Sequence, residues 1–296
     1  MQLKIQNKIK GPHIVEVLSN IKLSDDTRKL TFKNKIIAET AKPGQFISIL
    51  CEDLLLRRPF SVANVKDDTF EIIYKIKGKG TKYLSKLQSS DSADIIGPLG
   101  NGFNIENKNS LLIGCGVGIA PINFLSNILE KSGINHTFVA CSQTYIYHCK
   151  AVKPLYKQSS FDFLPTPCHC EEAQRADVAI SKSCDCFANT RNDNHIIITE
   201  DGSAGLVGRL DDHLENIINE VKPEKIYTCG PNPAIKYIVQ TAEKHKIPVE
   251  VALERDFACG TGVCMGCVIQ IKENDTTVNK RICKDGPVFK GSEVLW

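Results

Sequence analysis

The 296-residue chain lacks any marked charge imbalance, with 37 Lys and Arg against 34 Asp and Glu and a formal net charge of +3. So small an excess excludes the basic surface that nucleic-acid binders and membrane-surface proteins present. Long apolar runs are missing too: none approaches the roughly 18 uninterrupted residues of a spanning helix. The opening stretch MQLKIQNKIKGPHIVEV has basic residues but no apolar core of signal-peptide length behind them. The expectation is a soluble, cytoplasmic protein with neither a nucleic-acid nor a membrane partner. Tandem repeats are absent, and so is the G-x-G-x-x-G dinucleotide fingerprint.

Cysteine is abundant instead, at 13 residues. An odd count in a large chain without an export signal argues against a disulfide scaffold. It favours reduced thiols that ligate metal or pack as small hydrophobes.

The chain changes texture twice, which divides it into segments 1–104, 105–250 and 251–296. In the first, HIVEVLSNIKLS, TRKLTFKN, QFISILC, FSVANV and TFEIIYKIKG are short β-branched or aromatic runs between Gly, Pro and Asp turns. They predict an antiparallel barrel or sandwich, interrupted by one helix at TKYLSKLQ. In the second, buried-strand runs such as SLLIGCG, HTFVACS, HIIITEDG and KIYTCG alternate with helical patterns, including the amphipathic APINFLSNILEKSG. That alternation predicts a parallel α/β sheet. The third segment is rich in Cys and Gly, and too short for much of a core, so a cofactor is expected to hold it together.

Cys259, Cys264, Cys267 and Cys283 form a C-x4-C-x2-C-x15-C array. This is the plant-type [2Fe–2S] spacing, in which three thiolates on one loop and a distant fourth surround two irons. Gly260, Gly262 and Gly266 lie between the first three and would let the backbone approach sulfur closely. Structural zinc is the competing reading, although zinc sites more often pair two C-x2-C knuckles.

Two further stretches fit a flavin. Arg58-Pro59-Phe60-Ser61 lies on an expected strand, where the arginine could fork onto a diphosphate and the aromatic and hydroxyl could border a ring. The same tetrapeptide also suits an edge strand with no ligand. Gly78 and Gly80 precede Thr81 at an apparent helix start, which fits a phosphate as well as an ordinary capped helix. Gly114, Gly116 and Gly118 form G-x-G-x-G-x-A-P between strand and helix, and Cys229-Gly230-Pro231 makes a second such turn. Either could bind a nucleotide or be merely tight.

The order Arg-x-Phe-Ser, G-x-G-x-G-x-A-P, C-G-P-N-P resembles the ferredoxin-NADP reductase superfamily. With the cysteine array and the segments TEDGSAGLVG, ERDFACGTGVCMGC and CKDGPVFKGSEVLW, the chain is similar to the electron-transfer subunits of type 1B dihydroorotate dehydrogenases. The resemblance implies an N-terminal FAD-binding β-barrel, a Rossmann-like NAD-binding domain and a small C-terminal [2Fe–2S] domain. It implies FAD contacts at Arg58 to Ser61, at Ile73, Tyr74 and Lys75, and at Gly80 and Thr81, with the four cysteines holding the cluster. The implied partner is an FMN-containing catalytic subunit in a heterotetramer. Electrons would pass from dihydroorotate through the cluster and FAD to NAD⁺, with no side chain of this chain acting as general acid or base. Related chains act as sulfide dehydrogenase or NADH-dependent ferredoxin:NADP oxidoreductase subunits, an alternative the motifs share. After the second α/β strand, CSQTY offers no arginine for a 2′-phosphate, which favours NAD over NADP.

One stretch falls outside the resemblance. Residues 164–194 add roughly 30 positions containing CHCEEAQRADVAISKSCDC. Its two C-x-C pairs match neither zinc knuckles nor a ferredoxin loop. The segment resembles in-frame palindromic repeat elements found in some bacterial genes, and it is expected to be a disordered surface insertion. A longer surface connection costs only on the order of 1 kcal/mol in closure entropy.

Overall fold

The computed structural model describes residues 11–52, 54–144 and 195–296. The insertion at 164–194 and the helical pattern VKPLYKQSS lie outside the described residues.

Strands β1 (Pro12–Lys22), β2 (Thr27–Lys33), β3 (Phe46–Ile49), β4 (Arg58–Lys66), β5 (Thr69–Lys75) and β6 (Ser92–Leu99) close into an antiparallel barrel, in the order β1-β2-β5-β4-β3-β6. Period-two alternation drives the closure: Leu30 and Phe32 on β2 and Phe70, Ile72 and Tyr74 on β5 all point inward and are buried. Phe32 and Phe70, cross-strand partners on β2 and β5, stack with centroids 5.2 Å apart.

Two short helices interrupt these strands where the sequence suggested one. The additional helix, α1 (Lys35–Thr40), starts because the Asn34 side chain accepts the Ile37 N–H at 2.9 Å, and it buries Ile37 and Ala38. The expected helix, α2 (Lys79–Leu84), begins inside the Gly-Lys-Gly run and ends earlier than its pattern suggested.

The second layer is a sheet of seven strands. Strands β7 (Ser110–Cys115), β8 (His136–Ser142), β9 (His195–Thr199), β10 (Leu206–Val207), β11 (Lys225–Cys229) and β12 (Val249–Ala252) run parallel in the order β10-β9-β8-β7-β11-β12. Helices α3 (Ile119–Lys131), α4 (Leu210–Val221) and α5 (Asn232–Lys244) belong to this layer. The sequence presents α3 as amphipathic, yet ten of its thirteen residues are buried. The reason is its position between the sheet and the barrel. Asn123 donates to the Ala63 carbonyl at 3.1 Å and Asn127 to Asn64 Oδ1 at 3.0 Å, so the polar side of α3 is spent on β4.

The C-terminal residues build a hairpin, β13 (Val268–Glu273) and β14 (Thr276–Arg281), then the short α6 (Ile282–Asp285) and β15 (Val288–Lys290). They do not stand apart. Strand β15 pairs antiparallel with β12 as the seventh strand, and the Leu253 N–H donates to the Pro287 carbonyl at 2.9 Å. Cys267, Ile271, Ile282 and Cys283 join one buried cluster with Leu111 and Ile226 of the sheet. A segment too small for its own core has borrowed its neighbour's.

Asn101, on the connection from the barrel, clips the three parts together. Its N–H donates to the Gly286 carbonyl at 2.7 Å, and its side chain donates to Asp285 O and Val288 O while accepting the Val288 N–H at 3.0 Å. Among the described residues, no helix is long and apolar enough to cross a membrane.

Candidate functional site

The β4–β5 ladder runs only from Val62–Ile72 to Lys66–Thr69. Beyond it, Arg58 to Ser61 pair outward with β3, while Ile73 to Lys75 follow the β2 side through the Arg28–Tyr74 and Thr27–Lys75 registers. Two strand edges therefore diverge without closing on each other. The seven residues of the two strand motifs lie on these edges. A slot between unpaired edges offers backbone donors and acceptors to a flat polar ring, which suits a flavin.

The side chains have separate tasks. Arg58 to Ser61 are all partly exposed. Arg58 Nη1 donates to the Leu56 carbonyl at 2.7 Å, and Phe60 meets Tyr74 edge-on at 6.0 Å. Ile73 is buried with Leu23, Ala63 and Ala120 in the seam between barrel and sheet. Tyr74 fills the barrel interior and donates to Asn20 Oδ1 at 3.2 Å; burial pushes its hydroxyl up to about 12. Lys75 pairs with Asp26 at 2.7 Å. These three are thus held by protein partners, leaving β5 to offer a ligand chiefly backbone.

Near the same edge, Thr81 Oγ1 accepts the N–H groups of Lys77 and Gly78 at 2.9 and 3.1 Å. This fixes the turn before α2. A Cβ at Gly80 would come within 3.1 Å of Arg58 Cγ, so the turn packs directly on that arginine.

The second cleft follows from strand order. β7 and β11 are neighbours, and the sheet grows outward from them in opposite directions. Such a switch point leaves a crevice at the strands' carboxyl ends, where α/β sheets bind nucleotides. Both glycine turns lie there. Gly116 to Gly118 form a single 3₁₀ turn between β7 and α3, and Pro231 caps α5 directly after Cys229-Gly230. The turns touch: a Cβ on Gly118 would stand 2.3 Å from Cys229 O, and one on Gly230 would stand 2.7 Å from Cys115 Cβ. At Gly116, with φ +59°, the same construction meets open space. Gly114 packs on Ile119 within β7 and faces the helix.

The four cysteines of the C-terminal array form two pairs. Thr261 and Cys264 direct their N–H groups at Cys259 Sγ, both at 3.4 Å; Gly266 N–H points at Cys264 Sγ and Cys283 N–H at Cys267 Sγ, again at 3.4 Å. The side chains of Cys259 and Cys264 interact, as do those of Cys267 and Cys283. Burial opposes ionisation of Cys259, but the surrounding N–H groups outweigh it and hold the thiol down at about 5. Burial, then the Cys267 thiol, push Cys283 up to about 12. Two thiol pairs ringed by N–H groups fit a binuclear iron–sulfur group.

These sites adjoin. Phe257, two residues before Cys259, packs edge-on against Phe46 with centroids 5.2 Å apart, and Phe46 is the cross-strand partner of Ser61. A Cβ on Gly260 would stand 3.7 Å from Ser48 Oγ on β3. The cysteine loop therefore rests on the barrel at the Arg58–Ser61 edge.

Glu254 was not legible as a site residue, because nothing local marks it. It is surface-exposed and lines a cavity with Arg255, Asp256 and Gly266; the protein packed around it raises its carboxyl, and Lys77 from the turn before α2 opposes that rise. Burial, and then the Glu254 charge, raise the Cys229 thiol. The carboxylate thus lies where barrel turn and sheet crevice meet. Arg281 and Asp285, which brace the cysteine loop, were also missed.

Family models match two parts of the chain. Residues 15–103 match an oxidoreductase FAD-binding domain, and residues 254–295 match the iron-sulfur cluster binding domain of dihydroorotate dehydrogenase B. The dihydroorotate dehydrogenase B (NAD(+)) electron transfer subunit of Caldanaerobacter subterraneus subsp. tengcongensis is 32% identical over 285 residues, covering 95% of this chain and 97% of that protein. The same-named protein of Clostridium acetobutylicum is 30% identical over 289 residues, covering 95% and 96%. A solved structure of an NADH-dependent reduced ferredoxin-NADP oxidoreductase superposes with a TM-score of 0.73 at 27% identity, covering 97% of this chain and 91% of that one. The ferredoxin reductase of carbazole 1,9a-dioxygenase shares the fold, with a TM-score of 0.60 at 17% identity over 81% of this chain and 68% of that chain.

Proposed function

The chain belongs to the family of dihydroorotate dehydrogenase B electron transfer subunits, and from that premise we propose that it carries electrons from a catalytic partner to NAD⁺. The partner oxidises dihydroorotate at an FMN and assembles with this chain as a heterotetramer. The cofactors of this chain are FAD and one [2Fe–2S] cluster. When bound, the cluster relays single electrons and the flavin couples them to two-electron transfer to NAD⁺.

Each residue's part follows from its position. Cys259, Cys264, Cys267 and Cys283 hold the cluster, while the N–H groups of Thr261, Cys264, Gly266 and Cys283 stabilise thiolate charge. Arg58, Pro59, Phe60 and Ser61 form one wall of the flavin slot, and the backbone of Ile73, Tyr74 and Lys75 forms the other. Gly80 and Thr81 shape the turn that takes the diphosphate. Gly116 and Gly118, with Cys229, Gly230 and Pro231, form the nicotinamide crevice, and Gly114 seats the helix behind it. Among the described residues the end of β8 supplies Ser142, Gln143 and Thr144 with no arginine, which supports NAD. Substrate protons are handled on the partner, so this chain's work is positioning and exclusion of water.

The observation that carries this reading is the contact series Ser61, Phe46, Phe257, Cys259, which brings the cysteine array against the flavin edge. Co-purification with the partner, measurement of flavin, iron and sulfide, and assay of dihydroorotate-dependent NAD⁺ reduction test it. Roughly two irons and one FAD per chain with NAD⁺ reduction are expected. The likeness to the ferredoxin-NADP oxidoreductase supports a second reading. Coupling to ferredoxin and NADPH without dihydroorotate would select it.

A further inference from the structure

Arg281 ends β14 two residues before Cys283, and its cross-strand partner Val268 directly follows Cys267. It is therefore bracketed by one thiol pair. Its Nη1 also reaches into the cysteine loop and donates to the Gly262 carbonyl at 2.8 Å. Asp285 accepts three further bonds from the same residue: from Nε at 2.9 Å, Nη2 at 3.1 Å and the Arg281 backbone N–H at 2.8 Å. A two-point fork of this kind fixes both the position and the orientation of the guanidinium. A single side chain thus ties the loop carrying Cys259 and Cys264 to the element carrying Cys283.

The charge has a consequence beyond geometry. Reduction makes a thiolate-bound iron–sulfur group one unit more negative, so a fixed neighbouring cation stabilises the reduced form more than the oxidised one. The hydrogen bond to the Gly262 carbonyl holds this cation within the cysteine loop. Lys280, one residue earlier, points to the opposite face of the ribbon and bonds Glu273 at 2.8 Å.

We propose that Arg281 is a positioning residue for the cluster: it clamps the cysteine loop through Gly262 and biases the bound group toward its reduced form, and Asp285 limits that bias. The proposal rests on the [2Fe–2S] reading above.

The test is a redox titration of the full-length chain with its partner, followed by the cluster's visible absorption and its electron paramagnetic resonance signal. The quantity read is the reduced-to-oxidised ratio at the wild-type midpoint. Arg281→Gln is expected to lower that ratio about threefold or more. Arg281→Lys, which keeps the charge, is expected to stay within about twofold of wild type. Asp285→Asn keeps an acceptor for the Arg281 N–H but removes the opposing charge, so it should raise the ratio. Lys280→Gln should leave it unchanged. The proposal is overturned if Arg281→Gln matches Lys280→Gln, if Arg281→Lys falls as far as Arg281→Gln, or if Asp285→Asn moves in the same direction as Arg281→Gln. Should Arg281→Gln fail to assemble, the lysine and Asp285 variants still decide the sign. Wild-type protein without iron and sulfide is a separate result: it removes the cluster reading, and this inference with it.

Discussion

Cysteines occur in two settings in the described part of this molecule. Cys115, Cys141 and Cys229 lie at the carboxyl ends of β7, β8 and β11, while Cys259 and Cys264 lie on an irregular loop with partial or full exposure. The strand thiols behave as small core hydrophobes. Cys141 is raised well above the ordinary thiol range by its hydrogen bond with Cys115 and then by burial, and Cys229 by burial and then Glu254. On the loop, backbone N–H groups converge on sulfur and pull Cys259 the other way. At Cys259 the local backbone favours a thiolate, the form that binds metal, whereas burial dominates at the strand thiol Cys229.

The sharpest way to break this contrast is to exchange sulfur for oxygen on each side. Cys264→Ser should cut bound iron by on the order of tenfold or more, because the loop loses a thiolate the cluster requires. Cys141→Ser should leave iron and sulfide at wild-type levels. Iron and sulfide analysis of both proteins decides it; iron loss in the second would erase the distinction.

A second variant separates the crevice from the cluster. Gly118→Ala places a methyl 2.3 Å from Cys229 O, where backbone must move. Overpacking of this kind should cost about 1–3 kcal/mol of stability. It should also weaken NAD(H) binding, read by fluorescence titration, while the iron content stays intact.

The dependence of the loop on borrowed packing gives a smaller effect. Phe257→Ala removes the aromatic contact to Phe46, an interaction worth about 0.5–1.5 kcal/mol beyond its buried area. Chelator-induced loss of iron should accelerate, with the thermal transition of the barrel and sheet changing little.

The mildest test uses acid. Lys108 and then Lys225 hydrogen-bond the Glu106 carboxylate and hold it down at about 2. Its stabilisation is complete above the unfolded carboxylate's value of about 4.3 and is lost as pH falls toward 2. The difference in melting temperature between wild type and Glu106→Gln should therefore close over that window.

The motifs visible in the sequence are those whose members are close neighbours along the chain. Cys259, Cys264 and Cys267 span nine positions, and the turns at Gly116 and Gly230 each occupy one strand-to-helix connection. Short β-branched and aromatic runs between turns announced an antiparallel barrel or sandwich for the same reason. Helix α1 was missed because its start depends on one Asn34 side chain, and six residues give too little periodicity to detect. The burial of α3 was missed because its second covering surface is β4, some 60 residues earlier in the chain. Arg281, Asp285 and Glu254 carry no motif; their significance comes from groups that only folding brings near.

By itself the sequence determined the cofactor classes, the strand-to-helix glycine turns and the order of barrel, sheet and cysteine segment. Tertiary structure alone decided the route between them. Ligand spacing on a loop is set by covalent geometry, which a sequence states directly. The contact of Phe257 with Phe46, the open edge between β4 and β5, and the addition of β15 to the sheet are set by packing between distant segments. Such contacts depend on which buried surfaces fit together, and no local spacing records them.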